Sequence, residues 1–440
     1  MTMTSRERFA AMLNHKAPDR MPVYPLVNSI SRQSLGITYE EWTKDINKCA
    51  EAIIRTTDEL ELDCLCTLVD LSVEAADFGQ ELLYFTDKAA CPDPAHRVVP
   101  TEGDYDKIPR IDPAKGKRMS EHVELCRKLV KARGKDKPVV AFVFGPLGIV
   151  SMLRGQQEMF MDLYTAPDEV KKGVEIVSDV LCDWIDQLCA TGIDAVMFDT
   201  LYASRSIMSA EMWDEFEGVY MTRIAERVRS HGCAVMIHNC GQGAYFDEQY
   251  ERMKPVLFSF AHPPQGCADM KEAVEKYADK MILMGTIDPG WFMTATPETL
   301  KARVEEELAV FGPSKRYVLS TGCESPVCLP PPDGGYGEGV PLQIKAGYPH
   351  PALRPRFPRT RGQSFPERGR AAEGPVSLSR ARQRPAPSSK NGAGRPFPAF
   401  PPPMPRLYRY FSCPALPPPR SRLRIAHDAP QAAPRLAPSG

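Results

Sequence analysis

The sequence predicts a (β/α)8 barrel, which is a parallel sheet closed on itself and surrounded by helices. Short β-branched runs alternate with longer segments whose apolar residues recur every three or four positions, as expected for βαβ units. At least seven such units occupy roughly 260 residues, close to the ~250 residues of this barrel. A barrel is therefore favoured over an open doubly wound sheet.

The individual elements follow from the same pattern. We predict seven strands, at residues 62–68, 139–144, 194–199, 233–238, 256–261, 281–285 and 317–320. The helices between them carry boundary signals: Ser209 and Thr296 lie where N-caps belong, and Pro167 lies in a first turn. Gly192 and Gly232 lie where helices should end.

The last quarter of the chain has a different composition. Residues 327–440 hold 25 of the 43 prolines, and 16 Arg and 2 Lys against 5 acidic residues, so the remaining chain is acidic. This stretch has neither helical periodicity nor strand alternation, and it cannot form a packed core. We therefore predict a barrel over 1–326, lacking its normal last helix, followed by a disordered Pro/Arg-rich tail over 327–440.

Three explanations of the tail remain open. It can be a basic segment that binds a partner, plain disorder, or a GC-rich gene read out of frame. We favour the frameshift, because the break follows "STGCESP", where a closing helix is expected. The coding DNA after codon 326 distinguishes them. A missing unit would leave one barrel edge exposed, so we expect the chain as written to be unstable or to aggregate.

Composition also limits the location and the partners. No apolar run approaches the ~18–20 residues of a membrane span, and the N-terminus lacks the apolar region of a secretory signal. We expect a cytoplasmic protein without membrane or nucleic-acid partners. The 13 cysteines are scattered, which is typical of buried thiols in a reducing compartment and weakly favours anaerobic metabolism.

The stretch "CAVMIHNCGQG" contains the chemically most informative residues. It places His238 at the end of a predicted strand and Cys240 just beyond, on the same side. Cys323 follows another strand in "YVLSTGCES". Active sites of such barrels lie at the carboxyl ends of the strands, and three His and Cys ligands are typical of catalytic zinc. A His-x-Cys arises by chance at about 0.2 per chain, so packed thiols remain the alternative.

Several stretches resemble a known family. They are "TSRERFAAMLNHKAPDRMPV", "FGPLGIVSMLRG", "GIDAVMFDTLYASRSIMSAEMWDEF", "IHNCGQG", "MGTIDP" and "STGCE". Over nearly all of 1–326 the chain resembles the uroporphyrinogen decarboxylase superfamily. Within it, the His-x-Cys…Cys arrangement is similar to the methylcobamide:coenzyme M methyltransferases. This resemblance implies a zinc ion (Zn2+) held by His238, Cys240 and Cys323.

The resemblance implies a methyl transfer between a methylcorrinoid and a small-molecule acceptor, a thiol or a folate. Zinc would activate the thiol as thiolate, and a separate small corrinoid protein would carry the methylcorrinoid. The alternative is decarboxylation of a porphyrinogen. The decarboxylase pattern has paired arginines where this chain has Arg32 alone, and Gly-His-Gly where it has Gly-Cys-Glu. A second alternative is an inactive barrel with an Arg/Pro-rich interaction tail.

Five further residues are candidates beside the metal ligands. Glu74 lies in a stretch that resembles the family's Val-Glu-Ala motif, which implies a fourth zinc ligand or a proton acceptor. Asp199 ends a predicted strand, and Tyr202 follows it. Together they can orient substrate or a ligand. Asp288 in "GTIDPG" and Gln242 in "NCGQG" are candidates for binding substrate or corrinoid. For each, a cap or a solvated loop is the alternative.

Overall fold

The chain folds around a parallel sheet whose strands neighbour one another in chain order. The computed structural model describes residues 2–67 and 70–325, without the side chains of 292–293. Its strands are β1 Leu65–Cys66, β2 Leu82–Leu83, β3 Cys91–Pro92, β4 Val139–Phe144, β5 Ala195–Asp199, β6 Ala234–Asn239, β7 Leu257–Phe260, β8 Ile282–Ile287 and β9 Tyr317–Thr321. The sheet runs β1-β4-β5-β6-β7-β8-β9, and β2 and β3 form a separate antiparallel pair.

Helices cover the outside of this sheet. They are α1 Ser5–Leu13, α2 Tyr39–Lys44, α3 Ile46–Glu59, α4 Val73–Asp77, α5 Lys117–Arg133, α6 Pro146–Arg154, α7 Gln156–Thr165, α8 Pro167–Cys189, α9 Ala210–Trp213, α10 Val219–Ser230, α11 Phe246–Met253, α12 Met270–Tyr277 and α13 Pro297–Phe311. A π-helical turn, Asp214–Gly218, joins α9 to α10. Among the described residues, no helix is both long and apolar enough to cross a membrane.

The expected open edge of the sheet is closed by the N-terminal segment. Val23 forms a parallel bridge with Leu319 of β9. The carbonyl of Val23 accepts a hydrogen bond from the amide of Asp63, directly before β1 (2.9 Å). The expected open strand edge is therefore bridged at Val23, an extended residue far from β9 in sequence, and the expected instability or aggregation stays a prediction.

The predicted fold class is confirmed, and all seven predicted strands are present. Ser209 and Thr296 accept N-cap hydrogen bonds, and Pro167 begins α8. Gly192 and Gly232 have φ of 87° and 75°, a conformation that costs glycine little. The predicted tail, 327–440, lies outside the described residues.

Strand register places polar residues side by side at one end of the barrel. β5 and β6 are paired with Asp199 opposite His238, and β6 and β7 with His238 opposite Ser259. The strands leading to them are apolar and buried, apart from the partly buried Ala234 at the start of β6. The core therefore presents a row of polar side chains at the carboxyl ends of three neighbouring strands.

Candidate metal centre

His238, Cys240 and Cys323 come together at the carboxyl end of the barrel. Their ligand atoms all lie within 4.8 Å of one another. The two sulfur atoms, which are 83 residues apart in sequence, are separated by 3.4 Å. His238 is supplied by β6, Cys240 by the turn after it, and Cys323 by the turn after β9. The sequence-predicted ligands thus form one cluster.

The electrostatics of the cluster favour one thiolate. The Cys323 thiol donates a hydrogen bond to the Cys240 sulfur, which lowers the pKa of Cys240 and raises that of Cys323. Burial alone lowers the pKa of His238, but the Cys240 hydrogen bond and the charges of Asp199 and Glu324 raise it above its usual value. A thiolate beside an imidazole is the donor combination that binds soft or borderline cations.

The His238 ring is oriented from the next strand. The Ser259 hydroxyl lies 3.0 Å from Nδ1, and Ser259 is fully buried on β7. A ring whose Nδ1 is engaged by a hydroxyl has Nε2 left as the metal-binding nitrogen. One imidazole and two sulfurs within 4.8 Å, with the ring orientation set by Ser259, fit a zinc ion.

Carboxyl groups lie around this cluster. Burial raises the pKa of Asp199 to about 7, with Cys240 adding to the effect and His238 opposing it. Glu324, the residue after Cys323, accepts hydrogen bonds from the amide (2.9 Å) and hydroxyl (2.6 Å) of Ser29. Burial raises its pKa as well. Both carboxyl groups therefore interact with His238 from neighbouring positions.

Glu74 is buried but does not join the three ligands. Its Oε1 accepts a hydrogen bond from the Phe144 amide at the end of β4 (3.1 Å), and burial raises its pKa to about 8. Among the described residues, three or more His, Cys or carboxylate donor atoms lie within 4.8 Å of one another in two groups, and Glu74 belongs to neither. The second group, Glu81, Asp93 and His96, is largely exposed.

The remaining sequence candidates have different surroundings. Tyr202 is buried and packs edge-on against Phe160, with ring centroids 5.3 Å apart. Asp288 is exposed, and its side chain caps a short 3-10 helix by accepting from the Gly290 amide (2.8 Å). Gln242 is exposed beside the ligand turn. Their roles in binding stay predictions.

Sequence reasoning missed several residues that shape the site. Ser259 lies beside the His238 ring because β6 and β7 are in register. Asn239 accepts a hydrogen bond from the Gly241 amide within the turn that carries Cys240. Glu324 had a usable signal, since it directly follows Cys323. Glu217 did not: it lies in the π-helical turn, where its carboxylate accepts from the Leu147 amide (3.2 Å) and the Trp213 ring (2.8 Å).

The fold and the cluster define a barrel with a candidate zinc centre at its carboxyl end, where the active sites of barrel enzymes lie. Comparison with protein families identifies the family of the chain. The family model for uroporphyrinogen decarboxylase (URO-D) matches residues 4–333, about three quarters of the chain. The chain belongs to this family.

Relatives of two kinds are similar to it. Methylcobamide:CoM methyltransferase MtbA of Methanosarcina mazei is 22% identical over 325 residues, covering 73% of this chain and 92% of the relative. Uroporphyrinogen decarboxylase of Anaeromyxobacter dehalogenans is 22% identical over 335 residues, covering 72% and 92%. A solved methyltransferase from Methanosarcina mazei has a TM-score of 0.66 at 17% identity, covering 79% of this chain and 97% of that one. That structural likeness establishes the fold.

Proposed function

We propose that this protein is a zinc-dependent methyltransferase that moves a methyl group between a methylcorrinoid protein and a thiol acceptor, or a folate. The observation that carries the proposal is the cluster of His238, Cys240 and Cys323 within 4.8 Å at the carboxyl end of the barrel. The similarity to MtbA from Methanosarcina mazei supports it. One-carbon metabolism is the corresponding role.

The chain's own residues supply the ligands and their orientation. His238, Cys240 and Cys323 would hold zinc, and Ser259 keeps the imidazole in the orientation that leaves one nitrogen for the metal. The chemistry that a zinc ion supplies in such a site is Lewis acidity, which favours the thiolate form of a substrate thiol. Three protein ligands leave a fourth position for substrate.

In the proposed reaction, the substrate thiol loses its proton and its sulfur forms a bond to the methyl carbon. The bond between the methyl carbon and the cobalt of the corrinoid breaks, and its electron pair remains with the corrinoid. Asp199, which is paired with His238 in strand register, would orient the thiol. Glu74 is a second buried carboxyl group, beside the end of β4, and as a candidate proton acceptor it would act only above its raised pKa of about 8.

Decarboxylation is the second candidate, because relatives named uroporphyrinogen decarboxylase match the chain at the same identity. A porphyrinogen with several carboxylates needs cationic groups, and arginine is the usual clamp. In the stretch that corresponds to the paired arginines this chain has Arg32 alone. The buried Arg118, in the first turn of α5, is already paired with Asp70 at 2.6 Å. These features favour the methyltransferase.

Zinc content is the decisive measurement. We expect about one zinc per purified chain, lost in both His238→Ala and Cys323→Ser. Cys91→Ser, which removes a partly exposed thiol of β3, is the matched control and should retain zinc. Absence of zinc from a cooperatively folded wild-type chain would refute the thiolate mechanism. Carboxylated tetrapyrroles would then be the substrates to assay.

A further inference from the structure

Asn239, the last residue of β6, lies between two proposed ligands and is itself buried. Both polar atoms of its side chain are engaged. Nδ2 donates to the Thr200 carbonyl (2.6 Å), and Oδ1 accepts from the Gly241 amide (2.9 Å). The Asn239 side chain therefore links the residues on both sides of Cys240 to Thr200, which directly follows the neighbouring strand β5.

The anchor at Thr200 is itself held firmly. The Thr200 amide donates to the His238 carbonyl (3.2 Å), and its hydroxyl donates to the buried Gln249 of α11 (2.5 Å). The Thr200 carbonyl also accepts from Ala203 (2.9 Å). Asn239 thus fastens the Cys240 turn to a rigid part of the scaffold, which follows Asp199 directly.

The other side of the same turn lies close against Ser204. A Cβ placed at Gly241 would collide with the Ser204 hydroxyl and its carbon. Cys240 is therefore held between two anchored neighbours. Asn239 is hydrogen-bonded to Thr200 after β5, and Gly241 is packed against Ser204. Its sulfur approaches that of Cys323, on the opposite part of the sheet, to 3.4 Å. Such closeness between sulfurs from distant strands requires that both turns be fixed.

We propose that Asn239 is a positioning residue, which holds Cys240 close enough to Cys323 for both sulfurs to bind one metal ion. It touches neither substrate nor metal, and it acts through the turn that carries Cys240. This inference rests on the proposed function for its metal, but the positioning of one sulfur against the other holds with or without metal.

Two variants separate positioning from general stability. Asn239→Ala removes both hydrogen bonds, whereas Asn239→Asp keeps an acceptor for Gly241 and loses the donor to Thr200. We expect Asn239→Ala to raise the zinc dissociation constant about 10- to 100-fold, and Asn239→Asp less, by competition with a chromophoric chelator. The exposed Asn14→Ala, which removes a hydrogen bond to Ala10, is the control and should keep wild-type affinity.

A second readout needs no metal. A trivalent organoarsenic dihydroxide bridges two adjacent thiols, exchanging its two hydroxyl groups for two sulfurs and releasing two waters. Mass spectrometry of the peptides carrying Cys240 and Cys323 follows this bridging in the metal-free full chain. We expect the bridging rate to fall about tenfold in Asn239→Ala, because small misplacements of reacting atoms cost large factors in rate.

The two readouts keep the inference separate from the proposed function. A wild-type chain that binds no zinc would refute the metal mechanism, and the bridging rate would still decide the role of Asn239. Variants that melt at lower temperature but keep wild-type zinc affinity and bridging rate would overturn the positioning role. Lower zinc affinity and a lower bridging rate in both Asn239 variants, but not in Asn14→Ala, would establish the positioning role.

Discussion

Two buried aspartates at opposite ends of the barrel have opposite surroundings. Asp63, just before β1, is paired with Arg8 (3.1 Å) and Arg20 (2.6 Å) and accepts from the Val23 amide (2.7 Å). Burial alone would raise its pKa, but the hydrogen bonds and charge of Arg20 hold it below its usual value. At the other end, burial raises the pKa of Asp199 to about 7.

The difference separates a structural end from the end that carries the proposed site, which is the proposed functional end. A buried carboxylate with two guanidinium partners stabilises the ring closure at Val23. At the other end, burial raises the pKa values of Asp199, Glu74 and the partly buried Glu324, so the fold there favours the neutral carboxyl groups. In barrels the carboxyl ends of the strands carry chemistry and the amino ends carry stability, and the two aspartates follow this division.

A substitution that removes the ion pairs of Asp63 should have the largest effect on stability. Asp63→Ala leaves Arg20 without its buried carboxylate and Arg8 with Asp19 alone, and we expect the free energy of unfolding to fall by about 3–5 kcal/mol in urea titrations. The half-exposed pair of Asp58 with Arg133 provides the control, since Asp58→Ala should cost at most about 1 kcal/mol. Equal losses in the two variants would contradict the contrast between the two ends.

The functional end predicts a pH dependence of opposite sign to that of a salt-bridged carboxylate. Because the pKa of Glu74 is raised to about 8, the folded chain keeps a proton that the unfolded chain loses near its usual pKa of ~4.3. Stability should therefore fall as the pH rises between these values, by up to about 1.4 kcal/mol per pH unit, and level off above.

Glu74→Gln tests this sign, because the amide still accepts from Phe144 and cannot ionise. The variant should lack this part of the slope, so its advantage over wild type should grow from about pH 5 to about pH 8 in urea unfolding. Near pH 5 the two proteins should have similar stability, which is the internal control. Parallel curves over the whole range would argue against a buried, proton-holding Glu74.

The junction between β4 and α6 offers a smaller effect at the same end. A Cβ at Gly145 would collide with Glu217 Oε1, which accepts from the first turn of α6. Gly145→Ala should therefore lower the free energy of unfolding by about 1–3 kcal/mol. In the control Gly148→Ala, the new Cβ would lie 3.6 Å from Phe144, an ordinary contact. Alanine is also the better helix former, so this variant should be neutral or stabilised.

The sequence predicts the features that hydrophobic periodicity and the local order of residues along the chain determine. The seven strands, the caps at Ser209 and Thr296, and the meeting of His238 with Cys323 follow from strand ends that share one edge of a barrel. It could not predict the bridge of Val23 to β9, because a single extended residue has no period. Nor could it predict Ser259 beside His238, since register between strands is set by packing of the whole sheet.

Substitution of Ser259 should have the smallest and most specific effect. Ser259→Ala removes the hydroxyl at His238 Nδ1 and changes little else, so the ring can rotate and adopt the other tautomer. We expect the zinc dissociation constant to rise about tenfold, since an outer hydrogen-bond partner of a metal-binding histidine contributes at least that much. Ser178→Ala removes another buried hydroxyl, bonded within α8 to Val174 (2.7 Å), and should leave zinc affinity unchanged. If both serine variants bind zinc as wild type does, the orientation of His238 comes from packing alone. A loss confined to Ser259→Ala would show that the carboxyl end of the barrel is arranged around a metal, down to residues that do not bind the metal themselves.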